Sequence, residues 1–292
     1  MNIVSINCGL GNQMFQYAFY RMLKEIDQDT KLDISEFKYR KHHNGYELEN
    51  IFNINPCYAT KKECDKIADV SKSLFDEIRR KFLKIKKKSI GNLVYESNYS
   101  PHFNPILLQE KNTYFIGYWQ TDKYFQPISE IIRKEFSFKK ELDPSNLLIK
   151  EQILNTDSVS IHIRRGDYLK KQRFENLGSV CNIDYYNQAI EQIKLKIESP
   201  HFFIFSDDMD WVKENLNIPN LTHVDLNHGK DSYKDMQLMS LCKHNIITNS
   251  SFSWWGAWLN SNPEKIVIAP GIWFRDVDMI DIIPETWTRL EV

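Results

Sequence analysis

The chain has 292 residues, 42% of them hydrophobic, and a formal net charge of −1. That length suits two domains of ordinary size, each with a real core, and the near-zero balance excludes a whole-molecule field that gathers nucleic acid or acidic polymers. Five cysteines, an odd number with no C-x-x-C pair, exclude a disulfide framework and a zinc knuckle and predict a reducing compartment.

The first predicted element is a strand over Asn2–Asn7, followed by "CGLGNQ" and a helix. Met14, Ala18, Met22 and Ile26 recur every fourth residue with Phe15, Phe19 and Leu23 beside them, giving one apolar helical face. The opening residues lack a basic segment followed by a long apolar one, so they do not read as a signal peptide. No stretch reaches the ~18–20 apolar residues of a transmembrane helix. The expectation is a soluble, cytoplasmic protein. Residues 30–110 give little pattern, apart from "IRRKFLKIKKKS" (78–89), where seven of the ten residues 79–88 are basic. "TYFIGYW" (113–119) predicts a strand and "PISEIIRKEF" (127–136) a helix opened by proline.

From residue 158 the pattern becomes regular. Strands are predicted at Ser158–Ile163, His201–Phe205, Leu221–Asp225, Asn245–Thr248 and Lys265–Ala269, with helical stretches near 184–198, 208–216, 231–243 and 251–260. Strands alternating with helices imply a parallel sheet covered on both faces. The stretch 141–157 reads as a link, dividing the chain into domains 1–150 and 151–292. Ligands of such sheets bind at the carboxyl ends of the strands. Three polar clusters fall at those ends: "HIRRGD" (162–167), "SDD" (206–208) and "NSSFS" (249–253).

Each cluster has a chemical reading. Arg164 and Arg165 offer rigid, permanently charged forks suited to a phosphate or diphosphate. The alternative is an ion-pair knot that pins the domain; the flanking strand, His162 and Gly166 favour binding. Asp167 could orient a guanidinium or act as a base. The "RGD" tripeptide follows a buried-looking strand, which argues against an adhesion motif. "CGLGNQMF" (8–15) is a strand–turn–helix junction that presents free N–H groups, but Met14 stands where a dinucleotide fingerprint needs its third glycine. Ser250, Ser251 and Ser253 predict a cap at a helix start. Trp254, Trp255 and Trp258 offer faces for sugar stacking, although core packing is the expectation for at least two of them. Asp208-Met209-Asp210 is a D-x-D, the metal-binding pattern of many glycosyltransferases, but D-x-D recurs at Asp276-Val277-Asp278 and no His or Glu cluster accompanies either. Where two arginines can neutralise a diphosphate a metal is redundant, and Asp207 or Asp208 is read instead as an acceptor for a nucleobase or ribose.

Together, "GLGNQMFQYA", "HIRRGDY", "FSDD" and "TNSSFSWWGAWL" resemble the α-1,2-fucosyltransferases of glycosyltransferase family 11. The resemblance runs from residue 9 to residue 259 and implies an α/β fold of GT-B type, with two Rossmann-like domains facing a cleft. It implies inverting transfer of L-fucose from GDP-β-L-fucose to the 2-hydroxyl of a terminal galactose in surface-glycan biosynthesis, with no metal or other cofactor. Carried onto this sequence, Arg164 and Arg165 hold the diphosphate and His162 and Asp208 contact the nucleoside. Ser250 and Ser251 meet the β-phosphate, and Phe252 is a further donor-binding residue. Gly11, Asn12 and Gln13 face the donor from the N-terminal domain, taken as the acceptor side. Asp167 and Glu175 are the candidate bases. The alternatives are a non-catalytic sugar-nucleotide or glycan binder on the same fold, and a metal-dependent transferase using Asp208 and Asp210. No nucleic acid partner is expected. Residues 78–89, with Ile78, Phe82 and Ile85 at helical spacing, read either as a solvated face or as a weak peripheral contact with the inner membrane surface.

Overall fold

The computed structural model describes residues 1–39, 43–68, 74–82, 92–96, 102–166, 180–275 and 277–291. The chain divides into two units, Met1–Lys139 and Lys140–Val292. The division falls eleven residues before the boundary read from the sequence, for a physical reason. Phe138 bridges to Phe52 and the Lys139 N–H donates to the Ile51 carbonyl, tying the chain to the first unit up to residue 139. The helix Pro144–Leu154, read from sequence as a link, belongs to the second unit. Asp143 caps it and pairs with Lys234 at 2.9 Å, and Asn146 exchanges side-chain hydrogen bonds with Asn227 at 2.9 and 2.8 Å.

The first unit holds a four-stranded parallel sheet in the order β2-β1-β4-β3, with β1 Ile3–Ser5, β2 Lys31–Asp33, β3 Asn92–Tyr95 and β4 Thr113–Ile116. The helix Leu10–Ile26 follows β1. Its apolar face is broader at the start than the sequence suggested, with Leu10, Met14, Phe15, Tyr17, Ala18, Phe19, Tyr20 and Leu23 all buried, and it ends sooner, because Ile26 is exposed. Phe19 stacks on Trp119 at 4.4 Å between ring centroids, and Phe115 and Tyr124 meet the same pair edge-on.

The second unit holds a six-stranded parallel sheet, order β10-β9-β8-β5-β6-β7. Its strands are β5 Asp157–Ile163, β6 Pro200–Ser206, β7 Leu221–Val224, β8 His244–Ile246, β9 Val267–Pro270 and β10 Thr288–Leu290. Helices Ile183–Lys194, Met209–Asn215, Tyr233–Leu241 and Ser251–Leu259 connect them. β5 is central in the sheet and covered on both faces, so every residue from Ser158 to Ile163 is buried. Val159, Ile161 and Ile163 point into the core formed with Tyr185, Tyr186, Ala189 and Ile190 of the helix after it. Trp254, Trp255 and Trp258 are packed in the core, stacked and edge-on to one another, and the Trp254 indole donates to the Ile282 carbonyl at 2.6 Å. The packing reading holds for all three, and none is a sugar platform. Among the described residues, no helix is long and apolar enough to cross a membrane.

Candidate active site

The six-stranded sheet is doubly wound. Counted from β5, its strands run 3-2-1-4-5-6, so the order reverses between β5 and β8, and ligands of such sheets sit in the crevice outside the carboxyl ends at that reversal. The three polar clusters read from the sequence gather there. Arg164, Arg165 and Gly166 follow β5, Asp207 and Asp208 follow β6, and Thr248–Phe252 follow β8. Register sets this: Ile163 is level with Ser206, and Ile161 with Ile246.

The two arginines are held rather than loose. Asp207 places Oδ2 3.1 Å from Arg164 Nε, and its Oδ1 accepts the backbone N–H groups of Arg165 at 2.8 Å and Gly166 at 3.1 Å. A Cβ on residue 166 would lie 3.1 Å from Asp207 Oδ2, so glycine there lets the loop close onto that carboxylate. Asp208 Oδ2 lies 3.3 Å from Arg165 Nε, and the Arg165 guanidinium sits 3.9 Å from the ring centre of Trp211, a stacked cation–π contact. Both aspartates engage Nε, on the stem side of each fork. Among the described residues the two Nη groups of Arg165 make no hydrogen bond. The knot and the anion site are therefore compatible: the carboxylates brace the forks and orient them.

His162, two residues before the pair, is 5% exposed, and among the described residues its Nδ1 has no hydrogen-bond partner. Its ring lies 5.7 Å from that of Phe252. Burial, reinforced by the nearby Arg164 charge, pushes its pKa down to about 3, so at neutral pH it is uncharged and can accept or donate through the unpartnered nitrogen. This has a measurable consequence. In the unfolded chain this histidine binds a proton near pH 6.5, in the folded chain only near 3, so between those values the unfolded state holds more protons and stability falls as pH falls. Denaturant titrations from pH 7 to pH 4 are expected to show His162→Gln with a shallower loss of stability than wild type, by up to about 1.4 kcal/mol per pH unit. Parallel curves for the two proteins would place the histidine in contact with water.

The turn after β8 is built by its own side chains. Ser250 accepts the Phe252 N–H at 3.3 Å and caps the helix Ser251–Leu259, Ser253 donates to the Thr248 and Ser250 carbonyls, and Asn249 donates to the Trp273 carbonyl at 3.1 Å. Ser251 opens the helix, so the N-terminal N–H groups that attract an anion start beside β5. Asp208 is likewise a helix cap: its Oδ1 accepts the Trp211 N–H at 3.3 Å. With Oδ2 against Arg165, both of its oxygens are engaged within the protein. All of the Asp207 contacts described above are to Arg164, Arg165 and Gly166. Among the described residues no group of three or more His, Cys, Asp or Glu is gathered to hold a metal; Asp276 lies outside them.

In the first unit, "CGLGNQ" forms the turn from β1 into the helix Leu10–Ile26, with Cys8 in the left-handed region at φ 65° and Gly11 inside the first helical turn. Gln13 is fully buried. Its Nε2 donates to the Cys8 and Gly45 carbonyls at 2.8 Å each, and its Oε1 accepts the Glu47 N–H at 3.0 Å. Its amide thus shapes this loop. Asn12 Oδ1 accepts from Gln120 Nε2 at 2.7 Å.

Asp167 and Glu175, the two candidate bases, lie outside the described residues. Two residues at the crevice went unread in the sequence. Trp211 carried a signal, standing three residues after the capping Asp208, where a cap fixes the next turn. Tyr186 carried none beyond apolar periodicity. Its phenol is buried and held well above its usual pKa, first by burial and then by Cys181, with Thr248 opposing the rise.

The chain matches the glycosyl transferase family 11 profile over residues 1–290. It belongs to that family. This family 11 glycosyltransferase is 36% identical to the α-1,2-colitosyltransferase of Escherichia coli over 97% of its own length and 96% of the relative's. It is 34% identical to the O-antigen biosynthesis glycosyltransferase WbnK of Escherichia coli, covering 97% and 98%. Human galactoside α-(1,2)-fucosyltransferase 1 is 30% identical over 47% of this chain and 40% of the human one. Among solved structures, the α-1,6-fucosyltransferase NodZ, in a crystal soaked with GDP-fucose, matches with a TM-score of 0.53 over 90% of this chain and 96% of NodZ, at 13% identity. That likeness supports the α/β, GT-B-type fold expected from the sequence.

Proposed function

We propose that this glycosyltransferase moves L-fucose from GDP-β-L-fucose, with inversion, to the 2-hydroxyl of a terminal β-galactose in an oligosaccharide. The observation that carries the reading is the crevice at the β5/β8 reversal, where Asp207 and Asp208 hold two guanidinium groups beside a buried histidine nitrogen that has no partner among the described residues. Departure of GDP leaves negative charge on the β-phosphate while the sugar becomes oxocarbenium-like. Donors fixed in advance at the position of that charge lower the barrier without reorganising. In this account Arg164, Arg165 and the start of the helix Ser251–Leu259 receive the diphosphate, with Ser250 and Phe252 beside it. His162 accepts from or donates to the nucleoside. Asp207 and Asp208 act through the arginines. Inversion requires the acceptor hydroxyl on the opposite face of the sugar, where a carboxylate takes its proton; Asp167, directly after Gly166, is the first choice for that base and Glu175 the second.

The test is incubation of the protein with GDP-β-L-fucose and lactose. A trisaccharide with an α-1,2-linked fucose is the expected product. Tight binding of GDP-fucose without any transfer would instead favour a non-catalytic binder. A second donor has specific support in the colitosyltransferase of Escherichia coli. Colitose is fucose without its 3-hydroxyl. A pocket built to hydrogen-bond that hydroxyl rejects the deoxy sugar strongly, whereas a pocket built without it discriminates weakly. The ratio of kcat/KM for the GDP-linked sugars therefore separates the two readings.

Because the arginines supply the positive charge and both Asp208 oxygens are engaged, transfer is expected to keep its full rate in excess EDTA. Loss of activity restored by Mn²⁺ or Mg²⁺ would move the chemistry to Asp208 and Asp210.

A further inference from the structure

The first sheet has a reversal of its own. From β1 the chain passes to β2 on one side, then crosses to β3 and β4 on the other, so the carboxyl ends of β1 and β4 flank the point where ligands of such sheets collect. Three residues beyond each of these strands the backbone enters the left-handed region, at Cys8 with φ 65° and at Trp119 with φ 56°. Neither residue type takes that conformation readily, and strain of this kind gathers at ligand sites where the surroundings hold it. Here they do. Trp119 is fully buried, its ring stacked on Phe19 at 4.4 Å. The Glu96 carboxylate accepts the N–H groups of Tyr118 at 2.6 Å and Trp119 at 3.0 Å. A Cβ on residue 117 would lie 2.5 Å from Glu96 Cβ, so glycine there lets the carboxylate reach both.

This turn displays the residues on either side of Trp119. Tyr118 is 37% exposed, with its hydroxyl 3.5 Å from Cys8 Sγ. Gln120 Nε2 donates to Asn12 Oδ1 at 2.7 Å. Among the described residues neither of these side-chain amides makes a further hydrogen bond. Whichever way the two amides are turned, one oxygen and one N–H-bearing nitrogen stay open. The basic segment 78–89, the sequence's other candidate contact, passes out of the described residues after Phe82.

We propose that this strand end is a subsite for the terminal galactose ring of the acceptor, with Tyr118, Gln120 and Asn12 as its contacts. The groups on offer are neutral: an aromatic face beside one acceptor and one donor. A pyranose brings a C–H face to the ring, and adjacent hydroxyls, each able to donate and accept, to the amide pair. A phosphate or carboxylate would call for fixed positive charge instead. The inference rests on the proposed transfer to a galactoside and gives that acceptor its residues. Asn12, expected from the resemblance to face the donor, is assigned to the acceptor.

The experiment is saturation-transfer difference NMR of the full chain titrated with lactose, which needs neither donor nor turnover. Wild type is expected to give signals from the galactose ring protons. Tyr118→Ala and Gln120→Ala are each expected to weaken lactose binding about tenfold, the loss of one ring contact or one good hydrogen bond. Tyr118→Phe keeps the ring and should recover most of the signal. Both alanine variants leave the Glu96 anchor in place, so their melting curves should match wild type; where Tyr118→Ala melts early, Gln120→Ala decides. Lactose binding undiminished in the alanine variants would overturn the inference, and so would wild type without lactose signals. Lactose binding that the variants lose, in a protein that transfers nothing from GDP-β-L-fucose, would refute the donor reading and leave this subsite standing.

Discussion

Arg165→Ala is expected to lower kcat for transfer by roughly 100- to 1,000-fold, and Arg164→Ala by a similar factor, the usual cost of removing one fixed donor from a developing oxyanion. The structure gives the reason for placing the loss in the chemical step. Each guanidinium is held through Nε by a carboxylate, Arg165 is also stacked on Trp211, and the forks are oriented before any ligand arrives. The fold should survive both changes. The side chains are 30% and 23% exposed, and partly exposed ion pairs contribute little to stability, so melting temperatures should stay within about 4 °C of wild type. Near-wild-type activity in both variants would make the pair structural.

Asp207→Ala is expected to be nearly as damaging, although Asp207 acts as a positioning residue. One carboxylate holds the Arg164 fork and receives two backbone N–H groups, those of Arg165 and Gly166. Removing it frees the arginine and loosens the loop on which both arginines stand. A fall in kcat of about 100-fold is expected, since small misplacements of a charged donor carry costs of this order. Asp207→Asn keeps the oxygen that accepts the two N–H groups but replaces the carboxylate oxygen facing Arg164 with an uncharged amide group, so its activity should lie between Ala and wild type. A purely structural role would leave kcat unchanged in both variants and shift only the melting temperature.

The second unit was largely legible because its strands are long enough to show a pattern. β5 and β6 have seven residues each, and the apolar runs around them were read within a residue or two. In the first unit, β2 and β3 are Lys31–Asp33 and Asn92–Tyr95, three and four residues, the first of them mostly charged. Such strands exist because β1 and β4 offer parallel edges beside them, a tertiary cause that leaves no local period. β10 escaped for the same reason. Among the site residues, the positions of Arg164, Arg165, Asp207, Asp208 and Ser250 followed from strand ends and capping chemistry. Their mutual roles did not, because the register between β5 and β6 is what brings Asp207 to Arg164. Trp254 illustrates the opposite limit. Sequence offered either a sugar platform or a core residue, and the full burial of its ring against Trp255, Trp258 and Trp287 decides.

On the proposed function, the nucleotide diphosphate sits where strand order reverses, between the ends of β5 and β8. Hydrogen–deuterium exchange of the full chain, with and without GDP, tests it most directly. GDP is expected to slow exchange in peptides covering Ile163–Gly166, Ser206–Asp208 and Thr248–Phe252, and to leave the far end of the sheet, around Asp157 and Pro200, unchanged. Protection confined to other segments, or none at saturating GDP, would contradict the account.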